Sequence, residues 1–212
     1  MTTLLIADDH FAVRLGLEMM SREILGTQCS IEHAANGQQV LAKLRSTIYD
    51  SMMLDMQMPE PSGLHLLETA LSLQPNLNIL VVSVNPESVF AEKCLQLGAK
   101  GFVAKSASDT ELKTAIEKVI AGQRYLPPGM LGSGEEIMAP NPFHSLSVRE
   151  LDVTLLLLKG QGMLEVGRSL GISASTASTF KGRIFRKLKI QSILELEQLA
   201  RFHGVSNDAA RS

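Results

Sequence analysis

Short apolar runs alternate with segments of helical periodicity along the first 122 residues of the chain. Four runs have the length of buried strands, and they lie at residues 4–7, 52–54, 79–82 and 102–104. Between them, apolar residues recur every three or four positions, which predicts helices over 11–25, 38–44, 64–73, 88–97 and 110–120. Because this alternation is typical of β–α units, we predict a doubly wound α/β fold with a parallel sheet, and five strands fit the length.

The pattern changes after residue 122. Residues 123–142 are crowded with Gly, Pro and Ser and lose periodicity, which is typical of a linker. From residue 143 the patterning is helical: Ser147 and Glu150 form a capping-box signature, and further helices are predicted over 164–170, 174–188 and 192–203. A Gly-containing turn at 171–173 between two of them indicates a helix-turn-helix. We therefore predict domains at 1–122 and 143–205, followed by a polar tail at 206–212.

The net charge of −2 conceals an uneven distribution of charged residues. Residues 1–125 hold 10 Lys and Arg against 14 Asp and Glu, whereas residues 143–192 hold 8 against 3. A basic segment behind an acidic one is typical of a nucleic-acid-binding module. No apolar run approaches the length that spans a bilayer, the N-terminal segment lacks the pattern of a signal peptide, and two cysteines are too few for a disulfide framework. We expect a cytoplasmic protein with no membrane partner.

Polar side chains follow the four predicted strands. They are Asp8 and Asp9 after the first, Asp55 after the second, Ser83 after the third and Lys105 after the fourth. Because the carboxyl ends of parallel strands meet at one edge of a sheet, we expect these groups to converge. A single Asp after a strand more often caps a turn, but three acids together require a cation, and their oxygens suit Mg²⁺. The set fits phosphoryl transfer with Asp55 as the nucleophile.

These residues, in this order, resemble the receiver domain of a two-component response regulator over about the first 122 residues. The resemblance implies that Asp55, in LDMQMPEPSG, accepts a phosphoryl group from a sensor histidine kinase or a phosphotransfer protein. It further implies that Asp9 binds Mg²⁺ directly, that Asp8 binds it through water, and that the backbone carbonyl of Gln57 completes the protein ligands. The only catalysis then expected is this self-phosphorylation and a slow hydrolysis of the product.

The same resemblance assigns roles to three residues near the other strand ends. Ser83 and Lys105 would hold the phosphoryl oxygens, and Phe102 would swing inward when Ser83 moves toward them. Taken from the residues alone, Phe102 is a core aromatic. A stand-alone phosphatase with an Asp nucleophile is a rival interpretation, but it would need a general acid and a substrate cap, and the sequence offers neither.

The predicted helix at 174–188 is apolar on one side and polar on the other. Its apolar positions are Ala177, Phe180, Ile184 and Leu188. The hydroxyls and cations of the remaining arc are available for a DNA groove and its phosphates. A solvated basic face on an ordinary bundle helix is the alternative, and the turn, the capping box and the charge distribution together favour DNA.

The segment LSVRELDVTLLLLKGQG…LGISASTASTFKGRIFRKLKI resembles the LuxR-type C-terminal domain over about 60 residues. Joined to a receiver, this is the architecture of the NarL/FixJ family, which implies a transcription regulator that binds double-stranded DNA as a dimer after phosphorylation. We expect Ser178 and Thr179 near bases, and Thr176, Lys181, Arg183 and Lys187 on phosphates.

Several residues depart from the family pattern. Leu164 and Gly167 replace the Lys and Ala that are common there, and a Gly in place of Ala costs about 1 kcal/mol if it is exposed in a helix. Ser178, Phe180 and Gly182 stand where the family often has Lys, His and a further base-contacting side chain. We therefore carry over the binding of DNA but not the sequence that is recognised.

The last predicted helix carries Ile193, Leu196 and Leu199 on one stripe. The resemblance implies that this helix pairs two output domains on an inverted repeat, while packing inside one domain is an equally good explanation of the stripe. An atypical regulator that binds DNA or a protein partner independently of phosphorylation is the alternative function for the chain. The complete acid cluster argues against that alternative.

Overall fold

The structure, a computed structural model, describes residues 2–26, 29–58, 61, 63–83, 88–126, 141–203 and 205, with residues 88–90 described by their backbone only. The chain folds as two units. The predicted tail at 206–212 and most of the predicted linker lie outside the described residues. Among the helices of the described segments, none is both long and apolar enough to cross a membrane.

The first unit is a five-stranded parallel sheet with the strand order β2-β1-β3-β4-β5, and helices connect the strands. The strands are β1 (Thr2–Ala7), β2 (Cys29–Ala34), β3 (Ser51–Asp55), β4 (Asn78–Ser83) and β5 (Gly101–Ala104). The helices are α1 (Phe11–Leu25), α2 (Gly37–Ser46), α3 (Gly63–Leu73), α4 (Ser88–Leu97) and α5 (Asp109–Ile120). This confirms the predicted doubly wound α/β fold.

Strand β2 is the one strand that the apolar pattern did not locate. It lies at an edge of the sheet and, among the described residues, pairs with β1 alone, so its side chains are partly exposed. Glu32 forms an ion pair with Lys43 of α2, and His33 Nε2 lies 3.0 Å from Glu18 Oε2 of α1. An edge strand tolerates such polar residues because part of its surface is exposed. Strand β2 therefore lacks the apolar run that identified the other strands.

The packing of the sheet explains the apolar run at residues 52–54 in the middle of β3. All five of its residues are buried, because β3 is central and helices cover both faces. On one face the core joins the sheet to α1 and α5 through Leu4, Ile6, Leu17, Met53, Leu80, Val82, Val103, Ala115, Ile116 and Val119. Gly101 permits this close packing, since a Cβ there would lie 2.8 Å from Cγ2 of Val119.

The first unit extends beyond residue 122, where the sequence placed its boundary. Tyr125 is buried, and its N–H donates to the carbonyl of Lys100 at 2.9 Å. Its carbonyl accepts from the N–H of Phe102 at 3.4 Å, and its ring belongs to the core beside α5. The chain therefore returns to the sheet after the turn at Gly122, and the predicted linker begins at least three residues later than expected.

The described part of the second unit consists of helices and the turns that join them. A 3-10 helix (Pro142–Ser145) is followed by α6 (Val148–Leu158), α7 (Met163–Ser169), α8 (Ala174–Leu188) and α9 (Ile193–Phe202). The predicted capping box is confirmed: Ser147 Oγ accepts from the N–H of Glu150 at 3.3 Å, and Glu150 Oε2 accepts from the N–H of Ser147 at 2.8 Å. Helix α8 occupies the predicted residues, and Ser173 caps it by accepting from the N–H of Thr176.

Gly167 has a packing role that the sequence did not reveal. The sequence treated it as a cost relative to Ala at an exposed site, but it is buried where α7 meets the turn to α8. A Cβ on Gly167 would lie 2.8 Å from the carbonyl oxygen of Ile172 and 3.3 Å from the nitrogen of Ala174. The missing side chain lets the two helices of the helix-turn-helix approach closely, so the expectation for an exposed Gly does not apply.

Candidate functional site

The predicted polar groups converge at the carboxyl edge of the sheet. Asp8 follows β1, Asp55 ends β3, Ser83 ends β4 and Lys105 follows β5. Asp8, Asp55 and Ser83 are almost completely buried, while Asp9 is partly exposed at the rim. The buried acids thus lie at the ends of β1 and β3, which are interior strands of the sheet, and the exposed Asp9 lies one residue farther along the loop after β1.

The ammonium of Lys105 bridges two of the acids. Its Nζ lies 2.6 Å from Oδ2 of Asp8 and 2.9 Å from Oδ2 of Asp55. Burial acts to lower the pKa of Lys105, but the hydrogen bonds to Asp8 and Asp55 outweigh burial and raise it. Lys105 is therefore held in its charged form and balances one of the negative charges of the cluster.

Asp55 is held by a second donor besides Lys105. Its Oδ1 accepts from the backbone N–H of Gln57 at 3.1 Å, and its Oδ2 accepts from Lys105. Burial raises the pKa of Asp55, although both of these hydrogen bonds oppose the shift. A carboxylate that is fixed at both oxygens on the end of a buried strand is well placed to act as a nucleophile. The carbonyl of Gln57 stays a predicted cation ligand.

Asp8, Asp9, His10 and Asp55 form a group that can hold a metal ion, with one donor atom from each residue within 4.8 Å of the others. Three carboxylates match the oxygen ligands that Mg²⁺ requires, so the residues fit the implied cation. His10 was not identified from the sequence. Its Nδ1 lies 2.7 Å from Asp9 Oδ1 and 3.3 Å from Asp8 Oδ1, and its position next to the acid pair was the available signal.

Ser83 and Phe102 lie on neighbouring strands beside this cluster. Both are buried, and the N–H of Lys105 donates to the carbonyl of Ser83 at 2.7 Å, which ties the end of β4 to the residue after β5. Phe102 is completely buried, in keeping with the core position that its residue type indicates. Its inward swing and the contact of Ser83 with a phosphoryl group stay predictions.

A second candidate site is the outer face of α8. Thr176, Ser178, Thr179 and Arg183 are exposed and Lys181 is partly exposed, while Ala177, Ile184 and Leu188 are buried on the opposite side. Two cations lie over aromatic rings of the same helix: Lys181 Nζ is 5.2 Å from the Phe185 centroid, and Arg183 Cζ is 5.8 Å from the Phe180 centroid. The helix therefore presents hydroxyls in its first half and positive charge in its second half.

Lys187 differs from the other predicted phosphate contacts. Its Nζ lies 2.6 Å from Glu150 Oε2 and 3.1 Å from the carbonyl oxygen of Ser145. Burial acts to raise the pKa of Glu150, but the hydrogen bonds from Lys187 and Ser147 outweigh it and lower the pKa. The ammonium joins α8 to the start of α6, so Lys187 can reach a phosphate only by leaving these partners.

Helix α9 divides its apolar residues between the interior and the surface. Leu196 is completely buried and α9 packs against α6, so Leu196 is a core residue and not an interface residue, which corrects the sequence-based assignment. Ile193 and Leu199 are partly buried. The exposed apolar residues are Leu194 and Phe202, with 62% and 75% of their surface accessible. The periodic stripe did not reveal them because they lie outside it.

Family models match both parts of the chain. Residues 4–117 match the response regulator receiver domain family, and residues 144–200 match the luxR family of bacterial regulatory proteins. The chain is 34% identical to the response regulator GacA of Pseudomonas viridiflava, with 99% of this chain and 100% of that protein covered. It is 32% identical to the response regulator UvrY of Escherichia coli (strain K12), with 98% and 97% covered.

Solved structures share the fold. RcsB from Salmonella enterica serovar Typhimurium, bound to promoter rprA in the presence of phosphomimetic BeF3⁻, superposes with a TM-score of 0.72. The identity is 23%, and the match covers 95% of this chain and 99% of that one. A LuxR-family response regulator from Aurantimonas sp. SI85-9A1 is 28% identical over 61% of this chain and 93% of its own, with a TM-score of 0.53.

Proposed function

Because the chain belongs to the NarL/FixJ family of response regulators, with a receiver domain and a LuxR-type DNA-binding domain, we propose that phosphorylation of Asp55 controls its binding to DNA. The observation that carries this proposal is the convergence of Asp8, Asp9 and Asp55 with Lys105 at one edge of the sheet. The donor is a sensor histidine kinase or a phosphotransfer protein, and a regulator of this kind acts where the DNA is, in the cytoplasm.

In the proposed step a carboxylate oxygen of Asp55 attacks the phosphorus of a phosphohistidine. The P–O bond forms as the P–N bond breaks, and the leaving imidazole takes a proton. The N–H of Gln57 and the ammonium of Lys105 fix the carboxylate before the attack. Since catalysis of phosphoryl transfer is mostly positioning and charge stabilisation, this chain needs few other groups.

The acids are proposed to hold Mg²⁺, which when bound neutralises charge on the transferring phosphoryl oxygens. Asp9 and Asp55 would bind it directly, Asp8 through water, and the carbonyl of Gln57 would complete the set. Lys105 and Ser83 would contact the phosphoryl oxygens of the product. The acyl phosphate carries up to about two negative charges where the carboxylate carried one, and Lys105 and Ser83 would respond to this added charge. Slow hydrolysis of the acyl phosphate resets the site.

For the output domain we propose that α8 enters the major groove of DNA. Ser178 and Thr179 would approach bases, and Thr176, Lys181 and Arg183 would contact phosphates, in line with their exposure. Phosphorylation would promote a homodimer on paired half-sites. The exposed Leu194 and Phe202 of α9 are the best-placed apolar residues for this dimer, together with the partly buried Ile193 and Leu199.

The experiment uses the full chain with Mg²⁺ and acetyl phosphate, followed by intact-mass measurement and by binding to a randomised DNA pool. We expect wild type to gain one phosphoryl group and to bind the selected DNA more tightly. Asp55→Asn should show neither change. Asp50→Asn is the matched control, because Asp50 lies just before β3, where its Oδ2 accepts from the N–H of Thr3 at 2.7 Å, and it should behave as wild type.

A different outcome would support the alternative function. If no variant gains a phosphoryl group and all bind DNA equally with and without the phosphodonor, phosphorylation does not control the protein. The chain would then be an atypical regulator that binds DNA or a partner independently of phosphorylation. Equal phosphoryl gain by wild type and Asp55→Asn would instead show that the acceptor residue is misassigned.

A further inference from the structure

The four cations of α8 do not all face the same way. They are Lys181, Arg183, Arg186 and Lys187, and the proposed function gives Arg186 no role. Successive residues of an α-helix are about 100° apart around its axis. Arg186 is exposed, and it lies on the side opposite the buried residues Ala177, Ile184 and Leu188. We call this side, which the exposed residues Ser175, Thr179 and Gly182 share, the outward line of α8.

Each of the other three cations already has a neighbour within the domain. The charges of Lys181 and Arg183 lie over aromatic rings on the flanks of α8, and Lys187 pairs with Glu150. Arg186 has no ion pair, side-chain hydrogen bond or ring contact with any residue that the structure describes. Among the four cations, its guanidinium can therefore turn toward a ligand without first leaving a partner.

The surface beside Arg186 on the outward line is open. Gly182 lies one turn before Arg186, and a Cβ there would meet no atom within 4 Å. The long side chains of a helix point back toward its N-terminus and cover the preceding turn. The Arg186 side chain can therefore lie over Gly182 and carry its guanidinium toward Thr179. A larger residue in place of Gly182 would occupy this path.

The outward line is the part of α8 that faces the bases when the helix enters the major groove. Helix and groove are both about 12 Å wide, so the flanks of the helix face the phosphates and the outward line faces the floor of the groove. Ser175 and Thr179 are short, which lets the backbone in the first half of α8 come close to the base edges. A guanidinium that lies back over Gly182 then reaches those edges, whereas that of Arg183 stays at the level of the phosphates.

The shape of the guanidinium determines which base it would read. Its planar fork of N–H donors matches the O6 and N7 acceptors of guanine, which lie side by side in the major groove. We propose that Arg186 determines the DNA sequence preference of this chain by donating two hydrogen bonds to a guanine in each half-site while it lies over Gly182. This inference rests on the proposed entry of α8 into the major groove and adds a residue that selects the base.

The test exchanges the guanidinium fork for an amide. The full chain, treated with Mg²⁺ and acetyl phosphate, selects DNA from a randomised pool, and each guanine of one half-site is then replaced in turn by adenine. Fluorescence anisotropy gives the ratio of the affinities for the selected duplex and for each replaced duplex. At one guanine this ratio should fall roughly 5- to 150-fold in Arg186→Gln, since a bidentate contact contributes that much discrimination and Gln pairs with adenine instead. Arg183→Gln removes the same charge from another exposed arginine, so it is the matched control and should keep the ratio of wild type.

A second measurement tests the acceptor atom directly. Replacement of the same guanine by 7-deazaguanine, which lacks the N7 acceptor, should weaken binding by wild type and leave the affinity of Arg186→Gln as it is. Selected DNA without guanine, an unchanged ratio in Arg186→Gln at every guanine, or an equal fall in Arg183→Gln would each overturn the proposal. Equal binding by wild type with and without acetyl phosphate would refute the control of DNA binding by phosphorylation. It would leave this comparison intact, because all duplexes are measured under one condition.

Discussion

Lys105 and Asp55 form an ion pair with Nζ 2.9 Å from Oδ2, although they come from strands that β4 separates in the sheet. The ammonium spans the end of β4 to reach the carboxylate, and the same ammonium contacts Asp8. The cluster therefore contains its own cation. Any divalent ion that enters the site competes with, or adds to, a positive charge that is already present.

The first prediction follows from this internal cation. Lys105→Met leaves Asp8 and Asp55 without their ammonium, so the chain should bind Mg²⁺ several-fold to about tenfold more tightly, since a unit charge at this range is worth at least about 1 kcal/mol. Calorimetric titration with Mg²⁺ measures this. Lys113→Met, which removes an exposed lysine paired with Glu23, is the control and should leave the affinity as it is. Equal affinities for wild type and Lys105→Met would mean that the ion pair does not compete with the cation.

A second prediction concerns the loop that follows Asp55. A Cβ on Gly37, the first residue of α2, would lie 1.8 Å from the carbonyl oxygen of Pro61 between β3 and α3. Gly37→Ala should displace that loop, lower the free energy of unfolding by about 1–3 kcal/mol and slow the phosphorylation of Asp55. Calorimetry and the rate of phosphoryl gain from acetyl phosphate check both effects.

Gly16→Ala provides the contrast to Gly37→Ala. Gly16 lies in α1, and a Cβ there would meet no atom within 4 Å. This variant should raise the free energy of unfolding by up to about 1 kcal/mol, because Ala loses less backbone freedom in a helix. If the two variants changed stability in the same direction, the contact between Gly37 and Pro61 would not be the cause.

A third prediction uses two glycines of the helix-turn-helix. Gly167→Ala should destabilise the output domain by about 1–3 kcal/mol, because its Cβ would press on the carbonyl of Ile172. Gly182→Ala should stabilise it by about 0.5–1 kcal/mol, since a Cβ there meets nothing within 4 Å. Thermal unfolding of the full chain measures the stability of both variants. If Gly167→Ala were stabilising, the space between α7 and the turn to α8 would be large enough for a Cβ.

The fourth prediction concerns pH. The pKa of Glu150 is lowered in the folded chain, so its contribution to stability is complete above the unfolded glutamate value of about 4.3 and is lost as the pH falls through the lower folded value. Glu150→Gln should therefore be less stable than wild type by about 1 kcal/mol at pH 7, and the difference should shrink in acid. Calorimetry at several pH values measures this.

Glu165→Gln is the control for that series. Glu165 Oε2 accepts from the N–H of Gly162 at 2.9 Å in the same type of cap, and it has no ion pair within the described part of the chain. The cap alone should therefore give a smaller loss of stability at pH 7 than Glu150→Gln does. Equal losses in the two variants would assign the effect to capping and not to Lys187.

The fifth prediction separates the cations of α8. Arg183 is exposed, so Arg183→Met should reduce the slope of log affinity for DNA against log salt by about 0.9, the value for one phosphate contact on B-DNA. Lys187→Met should change the slope much less, because its ammonium is engaged by Glu150 and Ser145. Fluorescence anisotropy across a salt series checks this, and equal changes would show that Lys187 leaves Glu150 when DNA binds.

Local patterns predicted most of the fold because each depends on residues that are close in sequence. Helix α8 matches its predicted bounds since Ser173 caps it and its apolar residues recur regularly. The capping box at Ser147 and Glu150 is local in the same way. Strand β2 was not predicted because half of its residues are polar, as its position at the edge of the sheet permits.

The convergence of the polar residues was predictable from the sequence, because parallel strands bring their carboxyl ends to one edge of the sheet. The pairings were not, because partners such as Lys105 and Asp55, or Lys187 and Glu150, are 50 and 37 residues apart in sequence. Helix α9 shows a related limit. Periodicity identifies an apolar stripe, but it cannot tell that Leu196 faces the interior while Leu194 stays exposed.

The position of each charged group in the sheet determines which of them can move. Asp8 and Asp55 follow strands that are hydrogen-bonded on both sides, so displacing their backbone would break two ladders at once. Lys105 follows the four-residue strand β5, which pairs with β4 on one side and is bridged on the other side at Gly101 by Tyr125. Because the backbone of the acids is held on both sides, we expect a change in their charge to act first on Lys105, which contacts both of them from the end of β5.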